Sequence, residues 1–228
     1  MSDSDNREWI SISDMMAGLM LIFMFIAILY ILEMQMKKQS ISEIALTYDK
    51  LKKELNADLK AEFEPDLKKW NATILDNNTI RFTKPEILFE SGKSKLRENF
   101  KNILDNFFPR YVKILSSEKY KVDIDEVRIE GHTSSDWKNA KDEHVKYLNN
   151  AKLSQRRAFA VLDYIINIEN QKNNFLWLIK ILRANGLAFA KPIIIDSIEE
   201  KELSRRVEFR VITKTEEKIL KILEIDKQ

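Results

Sequence analysis

The sequence has no cysteine, four glycines and two histidines among its 228 residues. Without cysteine there are no disulfide staples, zinc–thiolate sites or thiol nucleophiles. Four glycines leave little material for a phosphate-cradling loop, and no G-x-S-x-G nucleophile elbow is present. His132, Ser134 and Asp136 are the chemical types of a hydrolase triad, but side chains this close on one loop do not reach triad geometry, so the chain reads as non-enzymatic. His132 and His144 are too few to suggest a metal cluster, and His132 reads as a hydrogen-bonding loop residue; no metal or organic cofactor is expected. A dominant charge is missing as well. The 38 basic and 36 acidic residues leave +2, so no strong field draws the chain to nucleic acid.

What is present is unevenly spread. Apolar residues make up 44% of the chain, enough for one domain with additional segments. The longest apolar run is residues 9–32, "WISISDMMAGLMLIFMFIAILYIL", which carries a single charge, Asp14. At about 1.5 Å of rise per residue it is long enough to cross a hydrocarbon layer about 30 Å thick. It has no basic leading region and no small-residue cleavage site, which favours a membrane span over a signal peptide.

Three readings of Asp14 compete. Ser11, Ser13 and Asp14 are all good N-caps, so a helix could start at Met15. Trp9, an interface-favouring residue, instead suggests that the helix is already under way there, which puts Asp14 about 7 Å below the interface. A carboxylate at the centre of a membrane helix costs about 2.5–3.5 kcal/mol on insertion scales, a cost seldom kept without a use. In the second reading Asp14 loads and releases an ion inside a protein-lined path. Gly18, Leu21 and Ile22, then Phe25, follow it on one helix face, and the glycine leaves room for another backbone or for water. One helix cannot line such a path, so this reading requires a partner membrane protein and two or more copies of this chain. The third reading gives the acid a role only in helix association.

Residues 33–70 are dense in charge but carry an apolar stripe: Ile41, Ile44, Tyr48, Leu51, Leu55, Leu59, Phe63, Leu67 and Trp70. This predicts an amphipathic helical spacer paired with its own copy, with Pro65 ending or kinking it. A segment that folds back on the membrane module as a plug is the other possibility. Residues 71–228 predict a domain. A hairpin turns at Asp76-Asn77-Asn78, followed by a strand at 86–89 and a helix with Leu96, Phe100, Ile103, Leu104 and Phe107 on one side. A strand at 125–130, a helix over 153–168, a second helical stretch over 174–187, a strand at 205–212 and a terminal helix over 214–225 complete it. The fold class is α+β: a membrane helix, a helical linker, and an α/β sandwich with helices on one face of a small mixed sheet.

Four successive stretches of that domain, "IEGHTSS", "NNAKLSQRRAFAVLDYI", "LRANGL" and "ELSRRVEFRV", resemble the motifs of OmpA-like peptidoglycan-binding domains. The N-terminal "WISISDMMAGLMLIF" resembles the ion-carrying helix of MotB- and PomB-type stator subunits, in particular those of the Zorya antiphage defence system. The resemblance implies a dimeric, wall-anchored stator subunit inside a ring of a MotA-like polytopic partner, with a proton or sodium as coupling ion and Asp14 as its carrier. It implies that a peptidoglycan stem peptide is held through its diaminopimelate by the positions of Thr133, Ser134, Asp136, Arg157 and Arg206. A zwitterion needs an acceptor for its ammonium and a planar fork for its carboxylate. Arg157 matches the family's arginine. The family's aspartate is Ser134 here, with Asp136 two residues on as a stand-in, and the family's asparagine before the paired arginines is Ser204.

Orientation is contested within the sequence. Arg7 precedes the span, while Lys37, Lys38, Lys50 and Lys52 follow it, and the positive-inside rule then favours a cytoplasmic C-terminal domain. The resemblance implies the reverse: a single-pass inner-membrane protein with its N-terminus cytoplasmic and its domain periplasmic, where the wall is. A flagellar stator subunit and a passive wall tether are the alternative functions.

Overall fold

A computed structural model describes residues 3–90, 92–137, 140, 142–168 and 174–214. The chain divides into two compact units that part between Tyr48 and Asp49. In the first, helix α1 (Asp3–Trp70) runs through the apolar stretch without a break. Asp14 therefore lies eleven residues inside a helix, and the N-cap reading fails. Every side chain over residues 13–36 is exposed, most of them large and apolar, so this stretch has no partner among the described residues. Such a surface requires hydrocarbon or another chain to cover it. Among the described residues, one helix is long and apolar enough to cross a membrane.

In the second unit the same helix supplies core, which corrects the spacer reading. Leu55, Leu59, Phe63 and Trp70 are at most 5% exposed and belong to the main hydrophobic cluster. Phe63 and Trp70 meet Phe107 at ring separations of 5.2 and 6.2 Å. From Leu51 onward the stripe thus buries against its own chain, and residues 49–70 join the domain expected to begin at 71. Pro65 does not end the helix. The packed face on either side of it, and Arg110 bonding the Glu62 carbonyl (2.6 Å) and the Glu62 and Asp66 carboxylates, hold the last turns in place.

The predicted hairpin is β1 (Ala72–Ile74) and β2 (Thr79–Phe82), with Asn78 at φ 61° in the turn. The strand expected at 86–89 is instead a helical turn, α2 (Pro85–Leu88), with Phe89 making an isolated bridge to Leu96. Pro85 fixes the helical φ and has no N–H for a ladder. Helix α3 (Glu98–Leu115) follows, then β3 (Ile124–His132), which runs two residues past its expected end and takes His132 out of the loop. Helix α4 (Glu143–Ile166) starts ten residues earlier than expected, where Asp142 caps the His144 N–H. The stretch expected to be one helix over 174–187 divides into α5 (Phe175–Ile181) and β4 (Leu182–Gly186). Leu182, Arg183 and Ala184 are good helix formers, and only pairing with β3 makes them a strand. A two-stranded hairpin, β5 (Ile194–Ile195) and β6 (Ile198–Glu199), leads to the short α6 (Lys201–Ser204) and to β7 (Arg206–Thr213). The terminal helix expected beyond residue 214 falls outside the described residues.

The sheet order is β1-β2-β7-β3-β4, antiparallel except for the parallel β3–β4 pair, which makes it mixed. Strand alternation gives it two unlike faces. Val127, Ile129, Val207 and Phe209 are buried in the hydrophobic core, while Arg128, Glu130, His132, Arg206 and Glu208 share the other face. Gly131 and Gly186 pair in register on the core side, directly under α4. A Cβ at Gly131 would stand closer than 3.0 Å to the Ser154 carbonyl oxygen, and one at Gly186 equally close to the Gln155 backbone nitrogen. The glycines therefore set how near α4 lies to the sheet. Gly131→Ala is expected to lower stability by about 1–3 kcal/mol, because the obstacle is backbone rather than a movable side chain; thermal unfolding measures it.

Candidate functional site

The ends of β3 and β4 and the start of β7 lie together, since Gly131 pairs with Gly186 and His132 with Arg206. The loop after β3, the turn after β4, and the β5–β6 hairpin with α6 therefore converge on one end of the sheet. Helix α4 is stitched to that end. Ser154 accepts from the Ala188 N–H at 3.0 Å, and the Gln155 side chain bonds the Gly186 N–H (2.7 Å) and the Ala184 carbonyl (3.1 Å). One turn beyond Ser154 the same register presents Arg157.

Arg157 is 6% exposed. Its Nε donates to the Lys93 carbonyl at 3.0 Å, and its guanidinium lies 4.9 Å from the centre of the Phe89 ring. No carboxylate stands within ion-pair distance of it among the described residues. Burial, and then the charge of Arg205, lower its pKa to about 10, which leaves it cationic at neutral pH. Arg206 is bound inward instead: Nε to Glu208 (2.6 Å), and the terminal nitrogens to the Ser204 and Lys191 carbonyls (3.0 and 3.1 Å). It fixes the start of β7 and the turn beside it.

In the loop after β3, Thr133 bonds the Ala188 carbonyl through its N–H, while its buried hydroxyl has no partner among the described residues. Ser134 is 4% exposed. The Ser135 N–H (3.1 Å) and hydroxyl both donate to the carboxylate of Glu199 on β6. Asp136 pairs with Lys201 at 2.7 Å. Glu199 and Lys201 escaped sequence reading because they lie more than 60 residues from the loop, and nothing local marks them.

Behind the loop, Glu130, His132 and Glu208 bring ligating atoms within 4.8 Å of one another, a grouping the histidine count did not suggest. Glu130 and Glu208 stand directly opposite in the ladder, where like charges repel. Arg206 and Arg81, at 2.6 and 2.7 Å from one Glu208 oxygen, offset this. His132 Nε2 is 3.6–3.7 Å from both carboxylates, too far for a hydrogen bond. Burial pushes the Glu208 carboxyl up, but the Arg206 guanidinium bonded to it, with the His132 ring nearby, outweighs this and holds it well below the usual carboxylate range. A depressed folded pKa contributes stability above the unfolded value of about 4.3, and that contribution is lost as pH falls below it. Glu208→Gln is therefore expected to flatten the loss of stability below about pH 5. Acid titrations of both proteins followed by circular dichroism measure this.

In the membrane-type helix, Asp14, Gly18, Leu21 and Ile22 occupy one continuous α-helical stretch, so the spacing that aligns them on a face holds. A Cβ at Gly18 would meet nothing within 4 Å.

A sheet with an OmpA-type order of motifs at one end, preceded by a single apolar helix, defines the class: the chain belongs to the OmpA family, whose model matches residues 88–206. Over nearly its whole length it is similar to Zorya protein ZorB of Escherichia coli strain Crooks, at 43% identity across 97% of this chain and 94% of that protein. Similar solved structures include the cell wall anchor of the T6SS from Pseudomonas aeruginosa (23% identity, 68% of this chain and 96% of that one, TM-score 0.47). A MotB-like protein from Desulfovibrio vulgaris is similar at 19% identity over 72% of this chain and 94% of that one, with a TM-score of 0.49.

Proposed function

We propose that this chain is the wall-anchored, ion-carrying subunit of a proton-driven motor in the bacterial inner membrane, acting in defence against phage. The observation that supports the reading is an apolar run over residues 9–32, inside one unbroken helix, that holds a single carboxylate, Asp14, on a chain similar along nearly its whole length to a Zorya ZorB. The helix sits as a dimer within a ring of a polytopic MotA- or ZorA-like partner, which covers the apolar surface that this chain leaves bare. Asp14 takes up a proton from one side and releases it to the other, with Gly18, Leu21 and Ile22 facing the path. Each charge moved across 100 mV yields about 2.3 kcal/mol to drive the ring. The OmpA-type domain holds the subunit still by binding the diaminopimelate of a peptidoglycan stem peptide through Arg157 and the loop of Thr133, Ser134 and Asp136, with Arg206 shaping that end of the sheet. No catalytic step is assigned to the chain.

This reading requires the domain to be periplasmic, against the lysine count. A reporter enzyme active only in the periplasm, fused after the last residue, is expected to be active. Activity from a cytoplasm-only reporter at that site would overturn the wall-binding half of the proposal. A passive tether, in which Asp14 serves only helix association, is the alternative, and it requires Asp14→Asn to leave activity intact.

A further inference from the structure

The charged side chains around the loop after β3 divide unevenly. Asp136 pairs with Lys201, and Glu202 pairs with Arg205. Two charges of opposite sign, Arg157 and Glu199, have no ion-pair partner within 4.0 Å among the described residues. Neither is fully exposed: Arg157 is buried and Glu199 half-buried. Charges withheld from water in this way are normally paired. Helix α4, which carries Arg157, lies against the loop to which Ser135 ties Glu199: the Asn150 side chain donates to the Asp136 carbonyl, and Ala188 donates its N–H to Ser154 while its carbonyl accepts the Thr133 N–H.

We propose that Glu199 and Arg157 form one zwitterion subsite, Glu199 taking the ligand's ammonium and Arg157 its carboxylate. The inference rests on the wall-binding reading above and names the group that replaces the acid absent at Ser134. Glu199 is suited to the task because Ser135 fixes it by two hydrogen bonds without neutralising it, and a carboxylate with about four acceptor positions keeps room for an ammonium. Asp136 is less suited, since Lys201 already occupies it. The buried Thr133 hydroxyl, without a partner on the same loop, is a further polar group that a ligand there would satisfy.

The test uses the full chain in detergent and a soluble stem tripeptide ending in meso-diaminopimelate, with the same peptide acetylated on its free side-chain amine. The unmodified peptide is expected to bind, and Glu199→Gln to weaken it about tenfold or more, as loss of a charged hydrogen-bond partner does. Acetylation should weaken wild type by a similar factor and add little to Glu199→Gln. Glu200→Gln, at the exposed neighbour, should bind as wild type does. A thermal midpoint for Glu199→Gln within a degree or two of wild type separates recognition from folding; if the hairpin loosens, the acetylated peptide on wild type carries the test alone. Binding lost in Arg157→Ala but kept in Glu199→Gln, with acetylation harmless, overturns the inference and leaves wall binding standing. No binding of either peptide to wild type overturns both.

Discussion

Asp14→Asn is expected to abolish protection against phage while the protein still accumulates in the membrane at the wild-type level. Asparagine matches aspartate in size and keeps a hydrogen-bonding carbonyl, so packing against Gly18 and the next turn is preserved. It cannot gain and lose a proton. The substitution would be mild if the acid were a helix cap, because asparagine caps as well as aspartate does. The helix already runs from Asp3, so capping is not the role of Asp14. Removing the charge from an apolar helix should, if anything, ease insertion, since an aspartate costs about 2.5–3.5 kcal/mol at the centre of a span. Loss of activity without loss of protein would thus separate ion carriage from folding. Asp14→Glu, which keeps the titrating group but moves it outward by one methylene, should retain partial protection.

Arg157→Ala should release the domain from the wall. Sedimentation with purified peptidoglycan sacculi is expected to fall by about 10–100-fold in affinity, the scale of losing a charge-assisted hydrogen-bonded partner. Arg157→Lys should fare little better. Lysine keeps the charge but has no planar fork, and it cannot reproduce both the Nε bond to the Lys93 carbonyl and the stacking on Phe89. The folding cost of either change is smaller, because within the protein the side chain makes one hydrogen bond and its contact with Phe89 and no ion pair among the described residues. Unfolding midpoints close to wild type would show this. Full retention on sacculi by Arg157→Ala would remove the arginine from the binding site.

The parts of this fold legible in sequence were those written in local pattern. The β1–β2 turn is set by Asn77 and Asn78, one accepting from the Thr79 N–H and the other adopting a left-handed φ. The 153–161 motif read directly as a helix because its spacing puts Ser154, Arg157, Ala158 and Val161 on one buried face. What was not legible depends on partners distant in the chain. Residues 182–186 have helix-forming side chains and become β4 only because β3 offers a parallel edge. The stripe from Leu51 to Trp70 has the period of a helix that pairs with something, but periodicity does not say with what, and the partner turned out to be Phe82, Phe107 and their neighbours. At the candidate site, Arg157 was visible through its motif. Glu199 was not, because the hairpin that brings it to Ser135 is an exposed, isoleucine-rich turn with no pattern pointing to the loop.

Proton uptake measured with a pH-sensitive dye in vesicles containing this chain and its polytopic partner tests the central claim most directly. With a potential imposed across the vesicle membrane, wild type is expected to carry protons once the complex is activated, and Asp14→Asn to show only the leak of empty vesicles. Equal flux through wild type and Asp14→Asn would contradict the account, since the ion would then be crossing without the one acid that the apolar run 9–32 contains.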